Sequence, residues 1–147
     1  MISFWFILTL THLIGLALGI GAATVKLTLL IKCNSDYNFV HIYIKVTKPI
    51  TRIIILGLIL LTISGLGWIL LGTSFTSLFI IKLVFVFAIW VLGPVIDNAV
   101  EPKYEKLVPA PGEKASSEFV KIQKKLLILE TIATLLFYTI TIMGVLL

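Results

Sequence analysis

Apolar residues in this chain neither alternate nor recur with the spacing of a half-buried surface helix; they run on almost without interruption. Four such runs stand out, roughly Ser3 to Ile31, Pro49 to Leu71, Thr76 to Ile96 and Leu126 to Leu147. Each reaches the ~20 residues that a helix needs to cross a bilayer. In lipid the backbone must satisfy its own hydrogen bonds, and a helix does so within one segment. The pattern therefore predicts an all-α integral membrane four-helix bundle, a single transmembrane domain over residues 1–147 with spans at about 3–31, 49–71, 76–96 and 126–147. No basic residue precedes the first run, and it extends well past the about 7–15 apolar residues of a signal peptide, so it reads as a retained span. Pro49 suits the first turn of span two, where a missing amide hydrogen is harmless. Gly72-Thr73-Ser74 ends that span, so spans two and three form a tight antiparallel hairpin, and Gly93-Pro94 should kink or terminate span three.

The polar connections orient the bundle. Residues 32–48 carry Lys32, Lys45 and Lys48, and residues 97–125 carry six lysines with Pro102, Pro109 and Pro111, whereas the short hairpin and both chain ends carry no charged side chain. The positive-inside rule places both charged loops in the cytoplasm and both termini on the outer side. Ser116-Ser117-Glu118 resembles a helix start, so span four should begin as an amphipathic turn or two in the cytosol.

Composition adds exclusions. With 59% hydrophobic and 13% charged residues and a mean hydropathy of +1.14, a 147-residue chain has too much surface for its volume to hide this apolar area from water. The net charge of +5 comes from residues flanking the apolar runs, which argues membrane orientation and no nucleic acid. A single cysteine, Cys33, excludes an internal disulfide and a CxxC pair. The chain contains no HExxH, GxSxG or Walker A motif.

Chemistry is sought among the ionisable residues inside the spans, which are costly there and face a bundle interior or a cavity. Lys26 and Glu130 lie at similar depth near the cytoplasmic side. They pair across helices as a structural ion pair, snorkel to the surface, or relay protons. His12 and Lys82 fall in the outer half, which holds no Asp or Glu. Lys82 either snorkels outward or meets an anionic ligand held between helices. His12 is either a hydrogen-bonded packing residue or a nitrogen ligand or proton-transfer group. His12, Gly15, Gly19 and Ala22 or Ala23 share one face of span one, a face of small residues that lets a helix or a flat ring approach closely. Lys82, Val86, Ile89 and Gly93 share a face of span three; Glu130, Ala133 or Thr134, Phe137, Thr141 and Gly144 share one of span four. Tyr138 and Met143 reach the outer half as candidates for a second iron ligand. Trp5 and Trp68 read as interface anchors, and His41 as a headgroup-facing residue of the first loop.

Leu10-Thr11-His12-Leu13-Ile14 in span one, Thr47-Lys48-Pro49 opening span two and Phe79-Ile80-Ile81-Lys82-Leu83 opening span three resemble the small four-helix bacterial membrane proteins of the HemJ and CopD-like group. In the HemJ branch, oxygen-independent protoporphyrinogen oxidases associated with haem b, a histidine in the first span and a lysine in the third are the hallmark residues. His12 and Lys82 match them. Gly19-Ile20-Gly21-Ala22 stands where that branch has Trp-Met-Ala-Gly, Asn38-Phe39-Val40-His41 where it has Met-Glu-Arg-Arg, and its late span-three histidine has no counterpart here.

The resemblance implies a haem- or porphyrin-binding redox protein of the bacterial plasma membrane, an oxidoreductase of the protoporphyrinogen oxidase type, with porphyrin or quinone as its partner. His12 and Lys82 would then be the catalytic and cofactor-binding residues, His12 as the axial metal ligand and Lys82 beside a propionate or in the second axial position. A carrier for an ion or small solute, copper included, is the alternative. Transport would call for a homodimer, for which Gly15 and Gly19 offer a face. The third reading is an accessory subunit of a larger membrane complex.

Overall fold

The computed structural model describes residues 3–146, and these are helical almost throughout. Helix α1 spans Phe4–Ser35, α2 Val40–Leu70, α3 Ser77–Val95, α4 Glu101–Lys106 and α5 Ser117–Leu146; a 3-10 turn at Tyr37–Phe39 leads into α2, and a π-helical turn at Ile96–Val100 joins α3 to α4. Four rods result, Phe4–Ser35, Tyr37–Leu70, Ser77–Lys106 and Ser117–Leu146, each long and apolar enough to cross a membrane. The chain is a multi-pass membrane protein built as an all-α four-helix bundle.

Three of the four rods start where a hydroxyl takes a free amide, and the second starts at Asp36, whose carboxylate accepts from Asn38 N at 3.0 Å. Ser3 Oγ accepts from Phe6 N at 3.2 Å, Thr76 Oγ1 from Phe79 N at 3.2 Å and Ser116 Oγ from Phe119 N at 3.0 Å. Within the spans, threonine hydroxyls turn back onto carbonyls four residues earlier, as Thr24 does onto Ile20 and Thr141 onto Phe137 at 2.8 Å each. The hydrogens of these hydroxyls are thereby satisfied within their own helix.

Two rods are longer than the hydrophobic pattern predicts. Most of residues 32–48 is helix, so Pro49 lies inside α2 rather than at its first turn. The segment looks like a loop because His41, Lys45 and Lys48 dilute its hydropathy, but Lys45 and Lys48 are exposed while Val40, Tyr43 and Thr47 are buried at i, i+3 and i+7. Pro94 likewise does not end the third rod. The π-helical turn takes up the irregularity, with Asn98 Nδ2 donating to the Pro94 carbonyl at 3.0 Å. The helix then continues with Ile96, Val100, Glu101 and Tyr104 turned inward.

The order around the bundle also departs from chain order. Helix α1 packs along α2 and α5, and α3 packs along α5. Helices α2 and α3, joined by the short turn 71–76, hardly touch. The expected tight hairpin is thus splayed, because α2 finds a closer partner in α1. Gly57 meets Gly15 and Gly19 there so closely that a Cβ on Gly57 would lie 2.5 Å from Gly19 N and 2.8 Å from Gly15 O. The small-residue face of α1 is therefore occupied within the chain, by a helix.

Candidate functional site

Charge divides the bundle into two ends. All seven carboxylates and every cation except Lys82 lie toward the end where α1 runs into α2 and α4 into α5. At that end a buried aromatic layer, in which Tyr104 stacks on Phe119 at 5.1 Å and meets Tyr43 edge-on at 6.0 Å, closes the bundle.

Beneath this layer Lys26, 2% exposed, is surrounded by acids. Its Nζ lies 2.7 Å from Glu130, 2.8 Å from Glu101 and 3.4 Å from Asp97. The Thr47 hydroxyl donates to Glu101 at 3.2 Å and the Tyr43 hydroxyl at 3.5 Å. The Lys26–Glu130 pair is the one expected from equal depth. Asp97 and Glu101 escape a sequence reading because they fall in a stretch that reads as loop and become inward-facing only through the π-helical turn. The cluster draws on α1, α2, the third rod and α5, and its chemistry is that of a buried knot, since its one cation is matched by more than one acid.

The other end holds a cavity of about 300 Å³ between all four rods, within the size range of small-molecule sites. His12 and Lys82 both line it, together with Trp68 from α2 and Phe137, Thr141 and Gly144 from α5. The stripes predicted for spans three and four thus converge, with Val86 and Ile89 on the same wall.

The hydrogen bonding of His12 is decided by its neighbour. Ser64 Oγ lies 2.9 Å from His12 Nδ1, 2.8 Å from the Leu60 carbonyl and 3.1 Å from the Leu61 carbonyl; with the hydroxyl hydrogen turned to a carbonyl, the ring nitrogen is the donor of the contact to Ser64. In the tautomer that donates from Nδ1 the lone pair is on Nε2, the atom a metal or a proton would take. The Trp68 ring packs on the imidazole at 4.7 Å between centroids, tilted by 38°, and holds its plane. The Trp68 indole N–H is itself buried without a hydrogen-bond partner among the described residues.

Lys82 makes no ion pair among the described residues. Its ammonium rests against Gly144, where a Cβ would stand 3.1 Å from Nζ. Among the described residues, the apolar seam between α2 and α3 beside it is crossed by one side-chain hydrogen bond, from Trp90 Nε1 to Thr62 Oγ1 at 3.1 Å.

Two expected ligands are not brought here. Tyr138 is exposed and shares a 2.9 Å hydrogen bond with Thr24, and Met143 is buried, but neither lines the cavity. The cavity-lining residues of α5 include Phe137, Ile140, Thr141 and Gly144, and one residue off such a stripe turns a side chain by about 100°, so Met143 is buried against other parts of the bundle. Among the described residues, no group of three His, Cys, Asp or Glu side chains is placed to hold a metal ion. His12 would serve an iron as a lone ring nitrogen. Sequence reasoning misses Ser64 and the packing of Trp68 on His12; the signal for Ser64 is a hydroxyl amid the apolar run of α2, one helical turn before Trp68.

No family model matches the chain, nor does any curated protein or solved structure.

Proposed function

We propose that the chain is a membrane-embedded redox protein that holds haem b, or a closely similar porphyrin, in the cavity between its four spans. The observation that carries this reading is the meeting, in one apolar cavity, of a histidine held through Nδ1 by Ser64 and a lysine that makes no ion pair among the described residues. An unpaired ammonium between helices is costly in lipid, and an anionic guest offsets that cost. A porphyrin answers all three features at once: a flat apolar body for the cavity, a metal for a ring nitrogen, and propionates for a cation.

His12 would ligate the iron through Nε2 while Ser64 holds its Nδ1 hydrogen and Trp68 fixes its plane, the usual division between a metal ligand and the groups that orient it. Lys82 would meet a propionate, and the unpartnered Trp68 N–H is a second donor of the kind a carboxylate seeks. Haem would supply one-electron chemistry, the protein supplying position and electrostatics. The α2–α3 seam is the natural side entrance, since these rods hardly touch and both face lipid. Porphyrin or quinone, both dissolved in the bilayer, would exchange electrons there. The site would lie toward the outer face of a bacterial plasma membrane, with the lysine-rich end in the cytoplasm.

The test is an absorption spectrum of the detergent-purified protein, oxidised and dithionite-reduced, beside His12→Ala. A Soret band in the wild type that is lost in the variant is the expected result. A band retained by His12→Ala would remove the axial role, and a colourless wild type after expression with ample haem would remove the haem reading.

A further inference from the structure

The basic end of the bundle carries a second concavity, unrelated to the His12 cavity. Lys103 and Lys106 at the end of the third rod face Lys121 and Lys125 on the first turns of α5 across a cleft of about 470 Å³. Leu107 and Ile122 complete its lining with a single acid, Glu118. Four lysines against one glutamate leave three net positive charges around one opening. Nor is this charge spent elsewhere: none of the four lysines forms an ion pair among the described residues, although Lys48 on α2 does, with Glu105 at 3.7 Å.

The spacing aims the charges together. Lys103 and Lys106 are three residues apart and Lys121 and Lys125 four, so each pair lies on one helix face. Like charges held this way repel one another, and their arrangement becomes favourable when an anion joins them. The cleft also sits where the rods leave their apolar segments, with Lys103 only two residues beyond the buried, ion-paired Glu101, and the ends of apolar spans are where headgroups meet a protein. Leu107 and Ile122 give it an apolar component that a site for a free inorganic ion does not need.

We propose that this cleft binds a phosphate ester, with the phosphate held by Lys103, Lys106, Lys121 and Lys125 and the adjoining carbon chain against Leu107 and Ile122. An anionic phospholipid of the adjacent leaflet has this chemistry, and basic pockets at helix ends on that side of a membrane are where such headgroups dock. Because these lysines are exposed, neutralising them leaves the core untouched.

The experiment is native mass spectrometry of the full chain in detergent, titrated separately with phosphatidylglycerol, phosphatidylcholine and inorganic phosphate. Lys121→Gln/Lys125→Gln is compared with Lys45→Gln/Lys48→Gln, which removes the same charge from the same end but outside the cleft. Phosphatidylglycerol should be retained in preference to phosphatidylcholine, and its apparent Kd should rise about thirtyfold in the cleft variant and little in the other. Equal binding of inorganic phosphate, weakened by the same variant, would keep the site and identify its ligand as a soluble phosphate. Equal loss in both double variants would reduce the effect to general surface charge and overturn the proposal, as would no preference for phosphatidylglycerol together with no retention of phosphate.

Discussion

Replacing Gly57 by alanine should loosen the bundle and the site together. The added Cβ would lie 2.5 Å from Gly19 N and 2.8 Å from both Gly15 O and Gly19 Cα, where non-bonded contacts are comfortable at about 3.5–4.0 Å. The obstructing atoms are backbone, so no side chain can swing away; α1 and α2 must part by about 1 Å. Overpacking of this kind costs about 1–3 kcal/mol, and the better helix propensity of alanine returns about 1 kcal/mol at most. The consequence for the site follows from register. Ser64 lies seven residues, two turns, beyond Gly57, and His12 three residues before Gly15, so the 2.9 Å His12–Ser64 hydrogen bond spans the seam that is being opened. Gly21→Ala and Gly65→Ala are the controls, because a Cβ at either position meets nothing within 4 Å. In mixed micelles titrated with sodium dodecyl sulfate, tryptophan fluorescence should show Gly57→Ala unfolding earlier than wild type and the two controls at least as stable as wild type. Equal unfolding of Gly57→Ala and the wild type would refute the claim that backbone contact through Gly15, Gly19 and Gly57 holds these helices.

Other perturbations separate the two ends. Lys26→Met strands Glu101, Glu130 and Asp97 in the interior and should cost about 3–5 kcal/mol in the same unfolding assay. Ser64→Ala should leave the fold within about 1.5 kcal/mol of wild type yet weaken haem retention about tenfold or more, since it frees the ring that Ser64 orients; unchanged retention would remove that positioning role. Lys82→Met should leave unfolding unchanged or improved and lower the retention of haem more than that of a porphyrin lacking carboxylates, read by absorbance after gel filtration. Tyr138→Phe and Met143→Leu should leave any Soret band where it is in wild type, because neither side chain lines the cavity.

What the sequence discloses and what it withholds have separate physical causes. Apolar runs long enough to span lipid, and the helix starts at Ser116 and beyond, are local properties, so the four rods are legible residue by residue. So is the meeting of His12 with Lys82, because both stand on small or apolar stripes in the half without carboxylates. Helix order is not local. A short turn ties the ends of α2 and α3, but it does not make their faces complementary, and Gly57 settles in the backbone groove of Gly15 and Gly19 instead. Asp97 and Glu101 are hidden for a related reason: hydropathy averages over a window, whereas burial is decided face by face. One π-helical turn is enough to bring two residues of an apparently polar loop onto Lys26.

The splayed seam gives these details a common consequence. Closing α2 onto α3 would fill the space beside His12 and Lys82; drawing α2 to α1 through three glycines leaves that space open while keeping Ser64 within reach of His12. At the opposite end the same four rods are gathered by the Lys26 cluster and the stacked Tyr104 and Phe119. The bundle is thus tied at its lysine-rich end and keeps its cavity, with Lys82 in the lining, at the other. The stability of this fold should therefore reside mainly near Lys26 and Gly57, and substitutions around Lys82 should act mainly on the ligand.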